Sequence, residues 1–202
     1  MTTSDITIDQ RRLDTWNAIH QAAAKLALEE GPAGATIDSI ADLAGISRRT
    51  FFNYFATKED AVLGLGPPEM PADALAEFQA EEGDLLAGLV YFMITVMRTS
   101  YRLSPNSDTR RQLIERFPEL RLRQVHYVGI VESMIAPVLH DKLSATSKTA
   151  LANDDAAASA MLTLARTIVQ FAYSRRSVAA PITNTEIDAA IAIFRTILKE
   201  TA

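Results

Sequence analysis

The sequence predicts an all-α protein of about nine helices. Apolar residues recur at helical spacing in successive segments, and no alternating strand pattern is found. Within residues 36–60, two short periodic segments are joined by a tight turn and followed at once by a third, which is the pattern of a helix-turn-helix. The chain also lacks internal repeats and low-complexity tracts. We therefore expect a helix-turn-helix domain followed by a larger helical domain.

Composition limits the class of protein. With 202 residues and 48% hydrophobic content, the chain is long enough to bury a sizeable core. It has no cysteine, which excludes disulfides, thiolate metal sites and cysteine nucleophiles. The net charge is −5, and residues 1–60 carry six Lys and Arg against nine Asp and Glu. Any affinity for DNA must therefore come from local placement of basic side chains.

The N-terminus predicts a soluble, cytoplasmic protein. Residues 1–9 are polar and acidic and lack the positive and then apolar pattern of a signal peptide. The longest apolar run, residues 87–97, is shorter than the ~20 residues that span a bilayer. We expect residues 1–9 to be a disordered lead-in and residues 11–30 to form the first helix, which Gly31 and Pro32 would end.

The first helix of the motif is predicted from one apolar stripe and two caps. Ile37, Ile40, Ala41 and Ala44 share one face at the spacing i, i+3, i+4 and i+7. The hydroxyl of Thr36 is a suitable N-cap, and a glycine at position 45 suits a left-handed C-cap.

The second helix of the motif, residues 48–54, is predicted to begin after an N-cap at Ser47. Phe51 and Phe55 lie at i and i+4 on its buried side. The remaining side chains are two guanidiniums, a hydroxyl, an amide and a phenol, which can read base edges or hold phosphates in a major groove. These exposed residues are Arg48, Arg49, Thr50, Asn53 and Tyr54.

A domain boundary is predicted after a fourth helix, which begins at Lys58 with Thr57 as N-cap. Residues 64–71 contain two glycines and three prolines, so we place the DNA-binding domain at 1–65 and a second domain at 66–202. The second domain should contain helices over 84–103, 105–116, 118–139, 154–178 and 183–201, with residues 141–149 as a polar loop.

Catalytic chemistry is not indicated. His20, His126 and His140 lie in different elements, and no cysteine is present, so no metal constellation at the usual spacing is found. His20 is expected at the surface or at the edge of the core. There is no glycine-rich phosphate loop, and adjacent acids point apart on a helix. We predict a protein that is not an enzyme and that has no metal and no cofactor.

Residues 19–63 resemble the DNA-binding domain of the tetracycline-repressor (TetR) family of bacterial regulators. The specific part is an ordered series at the family's spacing: Ala22-Ala23, Gly31, Thr36, Ile40-Ala41, Ala44 to Ser47, Thr50, Tyr54-Phe55 and Lys58-Glu59. Two positions depart from the family. Phe52 lacks the hydroxyl of the tyrosine that often contacts a phosphate there, and Ala27 replaces a large aromatic.

The resemblance implies a homodimeric repressor on a near-palindromic operator, with its two recognition helices about 34–36 Å apart. Dimerisation would use residues 154–178 and 183–201, which have apolar side chains to spare for a four-helix bundle. We expect base contacts from Arg48, Arg49, Thr50 and Asn53, and phosphate contacts from Thr36, Tyr54 and Lys58. Ser47 lies at the start of this interface.

The resemblance also implies that the second domain encloses a cavity for a small organic effector, uncharged or weakly polar. Polarisable and aromatic side chains concentrate on helices that should face one another. Taken singly, each of them is better explained as an ordinary core residue. The candidate lining is Phe92, Met93, Met97, Tyr101, Phe117, Tyr127, Met134 and Phe171.

A hypothesis of another class stays open from the sequence. The chain would then be an all-helical ligand-binding or scaffold protein whose helix-turn-helix has lost operator binding. Its support is the acidic balance and the absence of a hydroxyl at Phe52. The salt dependence of DNA binding separates the two hypotheses, because phosphate contacts release counterions.

Overall fold

In the described part of the chain all regular secondary structure is helical, which confirms the all-α prediction. The computed structural model describes residues 3–101, 107–145, 154–174 and 182–201. Within these ranges it contains ten helices and no strand. They are α1 (Thr3–Gly34), α2 (Ile37–Ala44), α3 (Arg48–Phe52), α4 (Lys58–Leu63), α5 (Ala72–Ala80), α6 (Leu85–Tyr101), α7 (Ser107–Arg116), α8 (Leu120–Ala145), α9 (Asp155–Ser174) and α10 (Asn184–Glu200).

The helices form two compact units. The first contains Met1–Pro67 and Thr99–Tyr127, and the second contains Pro68–Arg98 and Val128–Ala202. In the first unit α1 packs against α2, α4 and α7, and α2 packs against α3. In the second unit α9 packs against α10. Residues 99–127 therefore belong to the same unit as the helix-turn-helix.

An aromatic cluster joins α1 to the helix-turn-helix. The rings of Trp16 and Phe55 lie 5.1 Å apart between centroids, and those of Phe51 and Phe55 lie 6.0 Å apart. All three side chains are buried. Phe51 and Phe55 thus occupy the inner side of the motif, as the sequence predicts. Burying large aromatic side chains supplies a major part of the free energy that holds such a small domain together.

Helix boundaries differ from the predicted ones at the start of α1 and at the end of α8. Helix α1 begins at Thr3, so residues 3–9 are helical rather than a disordered lead-in. The regular helix is interrupted at Gly31, where its end was predicted: φ is 80° and ψ is 163°, a conformation that essentially only glycine adopts. Helix α8 continues past Pro137 to Ala145 and so includes the first part of the predicted polar loop.

Helix α5 was not predicted from the sequence. Its N-cap position is occupied by Pro71, which makes no side-chain hydrogen bond to the helix. Tertiary packing stabilises it instead: Phe78 stacks on Phe92 of α6 with ring centroids 4.9 Å apart. At its other end, Lys142 donates hydrogen bonds to the carbonyl oxygens of Gln79 and Glu81, at 2.9 and 2.6 Å.

His20 is buried in the first unit rather than exposed at its edge. Its Nδ1 lies 2.8 Å from the carbonyl oxygen of Ala61 on α4, so Nδ1 carries the proton and donates it. A Cβ atom at Gly64 would lie 2.8 Å from the His20 ring, and Gly64 also has a positive φ of 61°. Burial lowers the pKa of His20, and Arg110 contributes in the same direction.

The stability of the protein should depend on pH because His20 is buried in its neutral form. Because its folded-state pKa lies below the ordinary 6.5, the unfolded chain binds a proton first as the pH falls. The stability that the neutral, buried His20 contributes is therefore fully present above pH 6.5 and is lost progressively as the pH falls below it. Urea unfolding on both sides of pH 6.5 should show a steeper loss for the native chain than for His20→Gln.

The matched control is His126→Gln, which changes an exposed histidine of the same unit. This variant should keep the pH dependence of the native chain. If the free energy of unfolding changes equally with pH in the native chain and in His20→Gln, His20 is not the source of the pH dependence.

Candidate nucleic-acid interface

Helix α2 is defined by caps at both ends. The Oγ1 of Thr36 accepts a hydrogen bond from the backbone N–H of Ser39 at 3.1 Å, and the Oγ of Ser39 accepts one from the N–H of Thr36 at 3.0 Å. This reciprocal pair is a capping box. At the other end, Gly45 adopts a left-handed conformation with φ 68°. The helix therefore ends where the sequence predicts.

Helix α3 is shorter than predicted. The Oγ of Ser47 accepts a hydrogen bond from the N–H of Thr50 at 3.0 Å, which fixes the helix start at Arg48. The helix ends at Phe52, and Asn53 is its C-cap rather than an internal residue. With five residues, α3 is about 7.5 Å long, less than the ~12 Å width of a major groove.

The outward face of α3 is defined by the buried Phe51 and Phe55. At 100° per residue, Arg49 and Asn53 point away from that buried side. Arg48 and Phe52 lie on the flank beside them, and both are exposed. On the opposite flank, Thr50 and Tyr54 are half-buried.

The two arginines of α3 differ in their partners. The Nη1 of Arg48 donates to both carboxylate oxygens of Asp38 on α2, at 2.8 and 3.0 Å. Both side chains are more than half exposed, so the pair contributes at most about 1 kcal/mol and water or DNA can compete for it. Arg49 has no ion-pair or hydrogen-bond partner within the described ranges. Its guanidinium is therefore available for an external acceptor.

Lys58, a predicted phosphate contact, already has one partner inside the domain. Its Nζ donates a hydrogen bond to the carbonyl oxygen of Pro32 at 2.7 Å, next to the break in α1. An ammonium has three donors, so two hydrogens remain. Thr57 caps the N-terminus of α4 by accepting a hydrogen bond from the N–H of Asp60 at 3.1 Å.

A buried ion pair holds α4 to α8 inside the first unit. Arg123 donates from Nε to Oδ1 of Asp60 at 2.7 Å and from Nη2 to Oδ2 at 2.6 Å, in the paired geometry that suits guanidinium and carboxylate. Thr57 adds a hydrogen bond to the same carboxylate at 2.8 Å. The hydrogen bonds to Asp60 raise the pKa of Arg123. The Asp60 side chain is only 7% exposed, so its charge depends on these partners.

The other end of α4 is also held by an arginine. Arg110 of α7 donates from Nε to the carbonyl oxygen of Leu63 at 2.6 Å and from Nη2 to that of Gly64 at 3.4 Å. These are carbonyls of the last turn, which have no partner inside the helix. Sequence reasoning did not identify either arginine, because each lies more than 40 residues from α4 along the chain.

The helix-turn-helix segment also matches a known family in sequence. Residues 19–63 match the family model described as bacterial regulatory proteins, tetR family. The helix-turn-helix segment belongs to the TetR family. TetR-family members are DNA-binding transcriptional regulators and not enzymes. No match was found among curated proteins.

The predicted effector-lining residues are divided between the two units. In the second unit, Phe92, Met93 and Met97 are buried, whereas Met134 and Phe171 are half-buried. In the first unit, Tyr127 is buried and its hydroxyl donates to the Oγ of Ser100, while Phe117 is half-buried. The side chain of Tyr101 lies outside the described residues.

Two surface cavities are found in the second unit, and none of the predicted lining residues borders them. The larger, of about 340 Å³, lies between the start of α6 and α10 and has charged walls that include Asp84, Asp188 and Arg195. The smaller, of about 230 Å³, lies between α8 and α9. Among the described residues, no cluster of three or more potential metal ligands occurs, and no helix could span a membrane.

Replacement of Arg123 should destabilise the first unit strongly. Arg123→Ala leaves the buried Asp60 carboxylate without its guanidinium, which costs about 3 kcal/mol in the free energy of unfolding. Urea denaturation followed by circular dichroism measures the loss. Arg121→Ala, an exposed arginine two residues earlier on the same helix, is the matched control and should change stability by less than about 0.5 kcal/mol. Similar losses in both variants would show that the ion pair contributes little.

Proposed function

We propose that the protein is a homodimeric transcriptional repressor that binds a near-palindromic DNA operator and is released from it by a small organic effector. The observation that carries the proposal is the outward face of α3, on which Arg49 and Asn53 stand exposed within the TetR-family segment. Residues 1–65 would bind DNA, and residues 66–202 would dimerise and bind the effector. The site of action would be the cytoplasm.

The proposed contacts follow the geometry of α3. Arg49 has the donors for the O6 and N7 atoms of guanine, and Asn53 has the donor and acceptor for adenine. Arg48 and Thr50 lie on either side of them, near enough for bases at the groove edge. The hydroxyls of Thr36, Ser47 and Tyr54 and the free hydrogens of Lys58 would contact phosphates, which position the protein without reading sequence.

Dimerisation is supported by apolar side chains that α9 and α10 leave exposed. Ile187 and Ile191 of α10 are buried inside the unit, whereas Ile193 and Ile197 lie on another face and are exposed. Tyr173 of α9 and Leu198 of α10 are exposed as well. A second copy would cover these residues in a four-helix bundle built from residues 154–178 and 183–201.

Effector release is supported by the position of α8. This helix carries Arg123, which holds α4 of the DNA-binding segment, and also Met134, a predicted lining residue. An uncharged or weakly polar ligand that displaces α8 would therefore act on the helix next to the motif. Coupling of 1–3 kcal/mol, typical of such systems, corresponds to roughly 5–150-fold in operator affinity.

Selection from a random duplex library, followed by fluorescence anisotropy, tests the proposal. We expect enrichment of a palindromic sequence that binds with a negative slope of log affinity against log salt, about −0.9 for each phosphate neutralised. Failure to enrich any sequence, with a flat salt dependence, would favour the second hypothesis, a ligand-binding or scaffold protein whose motif no longer binds an operator.

Arg49→Ala should reduce discrimination between the selected operator and a scrambled duplex. Loss of a bidentate guanine contact costs about 1–3 kcal/mol per half-site, or roughly 5–150-fold. Arg111→Ala is the control, because it also removes one exposed positive charge from the same unit, in a surface pair with Glu115. Anisotropy titrations measure the ratio of the affinities for the operator and for the scrambled duplex. Equal discrimination in the two variants would remove Arg49 from the base-reading residues.

Two charges on the exposed face of α10 should separate the dimer. Ile193→Lys combined with Ile197→Lys places like charges on one stripe, so sedimentation should show a monomer and operator affinity should fall at least about tenfold. Leu122→Lys, which changes a more exposed apolar residue of α8, is the control and should remain dimeric. A dimeric double variant would show that this face is not the interface.

A further inference from the structure

Phe52 is an exposed aromatic residue on the recognition helix α3. Its side chain is 49% exposed, although a phenyl ring gains free energy when it is buried. The ring is held in place, because it meets Phe51 edge to face with centroids 5.5 Å apart. The guanidinium carbon of Arg48 lies 5.9 Å from its centroid. An ordered apolar surface thus stands among the polar groups of the predicted interface.

The position of Phe52 places it on the same outward arc as the proposed base contacts. On a helix of 100° per residue it lies about 40° from Arg48 and about 60° from Arg49. Since α3 is only about 7.5 Å long, its last residue enters the groove together with its first. A duplex that contacts Arg49 and Asn53 therefore comes close to the Phe52 ring.

The surroundings of the ring favour an apolar partner over a phosphate. Arg48 is paired with Asp38, which partly offsets the positive charge on this flank of α3. The ring itself has no donor for a phosphate oxygen. Within a major groove, the apolar group that such a surface can contact is the C5-methyl group of thymine.

We propose that Phe52 is a specificity-determining residue that contacts the 5-methyl group of one thymine in each operator half-site. The inference rests on the proposed function, since it requires an operator that α3 enters. It adds an apolar contact to the polar base contacts of Arg49 and Asn53.

Replacement of single thymines by deoxyuridine tests the contact, because it removes only the methyl group. The probe is the duplex obtained by selection, with each thymine of one half-site replaced in turn. The native chain should lose about fourfold in affinity at one position, the value of one buried methyl group. Replacement in both half-sites should lose about fifteenfold. Phe52→Ala should bind the thymine and deoxyuridine duplexes equally at that position.

Two further variants keep the test decisive. Leu43→Ala removes from α2 an apolar side chain that is about as exposed as Phe52. This variant should lose the same factor in affinity as the native chain when deoxyuridine replaces that thymine. Phe52→Leu retains part of the apolar surface and should show an intermediate loss, which supports the contact even if Phe52→Ala binds weakly. Circular dichroism establishes that the variants are folded.

The outcomes separate this inference from the function on which it rests. If no sequence is enriched, the proposed function fails and the thymine contact fails with it. If an operator is enriched, the inference is overturned by an operator without thymine in the half-site. It is also overturned if replacing thymine by deoxyuridine reduces the affinity of the native chain and of Phe52→Ala by the same factor.

Discussion

The arrangement of the DNA-binding segment depends on the ion pair between Asp60 and Arg123. Helix α4 has six residues, too few to be stable in water by itself. It is fixed by packing on α1, by the Thr57 cap and by arginines at its two ends. The Asp60 carboxylate is nearly buried, so removing Arg123 would leave a charge that water hardly reaches. Together with the packing of α7 on α1 and α4, this ion pair ties α7 and the start of α8 to the unit that contains the helix-turn-helix.

The interactions around α4 also explain why a histidine is buried there. The short helix leaves carbonyl groups of its last turn without intrahelical partners, and these need donors from elsewhere. Arg110 supplies donors to Leu63 and Gly64. His20 supplies a second donor to the carbonyl oxygen of Ala61, which also accepts from the N–H of Gly64. A neutral imidazole is suited to this position because a second positive charge beside Arg110 would be repelled. Burial lowers the pKa of His20, and the nearby Arg110 acts in the same direction.

Features encoded within a few residues were predictable from the sequence, and features that join distant segments were not. The caps at Thr36, Gly45 and Ser47 depend on neighbours within about four residues, so the helix-turn-helix could be located. Helix α5 lacks a side-chain cap and depends on Phe92 and Lys142, which lie in other helices. The partner of Asp60 is 63 residues away, beyond any periodicity signal. The predicted length of α3 is too great because Asn53 and Tyr54 continue the polar pattern after the helix has ended.

The acidic balance of the chain affects which contacts decide specificity. With a net charge of −5 and Arg48 paired to Asp38, the motif offers few cations to the phosphate backbone. Nonspecific binding rests almost wholly on such cations, so it should be weak. Contacts that add no charge then contribute a larger share of the total affinity for the operator. Under that condition the methyl contact proposed for Phe52, which would be small beside a strong phosphate term, would supply a useful fraction of that affinity as well as a preference for thymine.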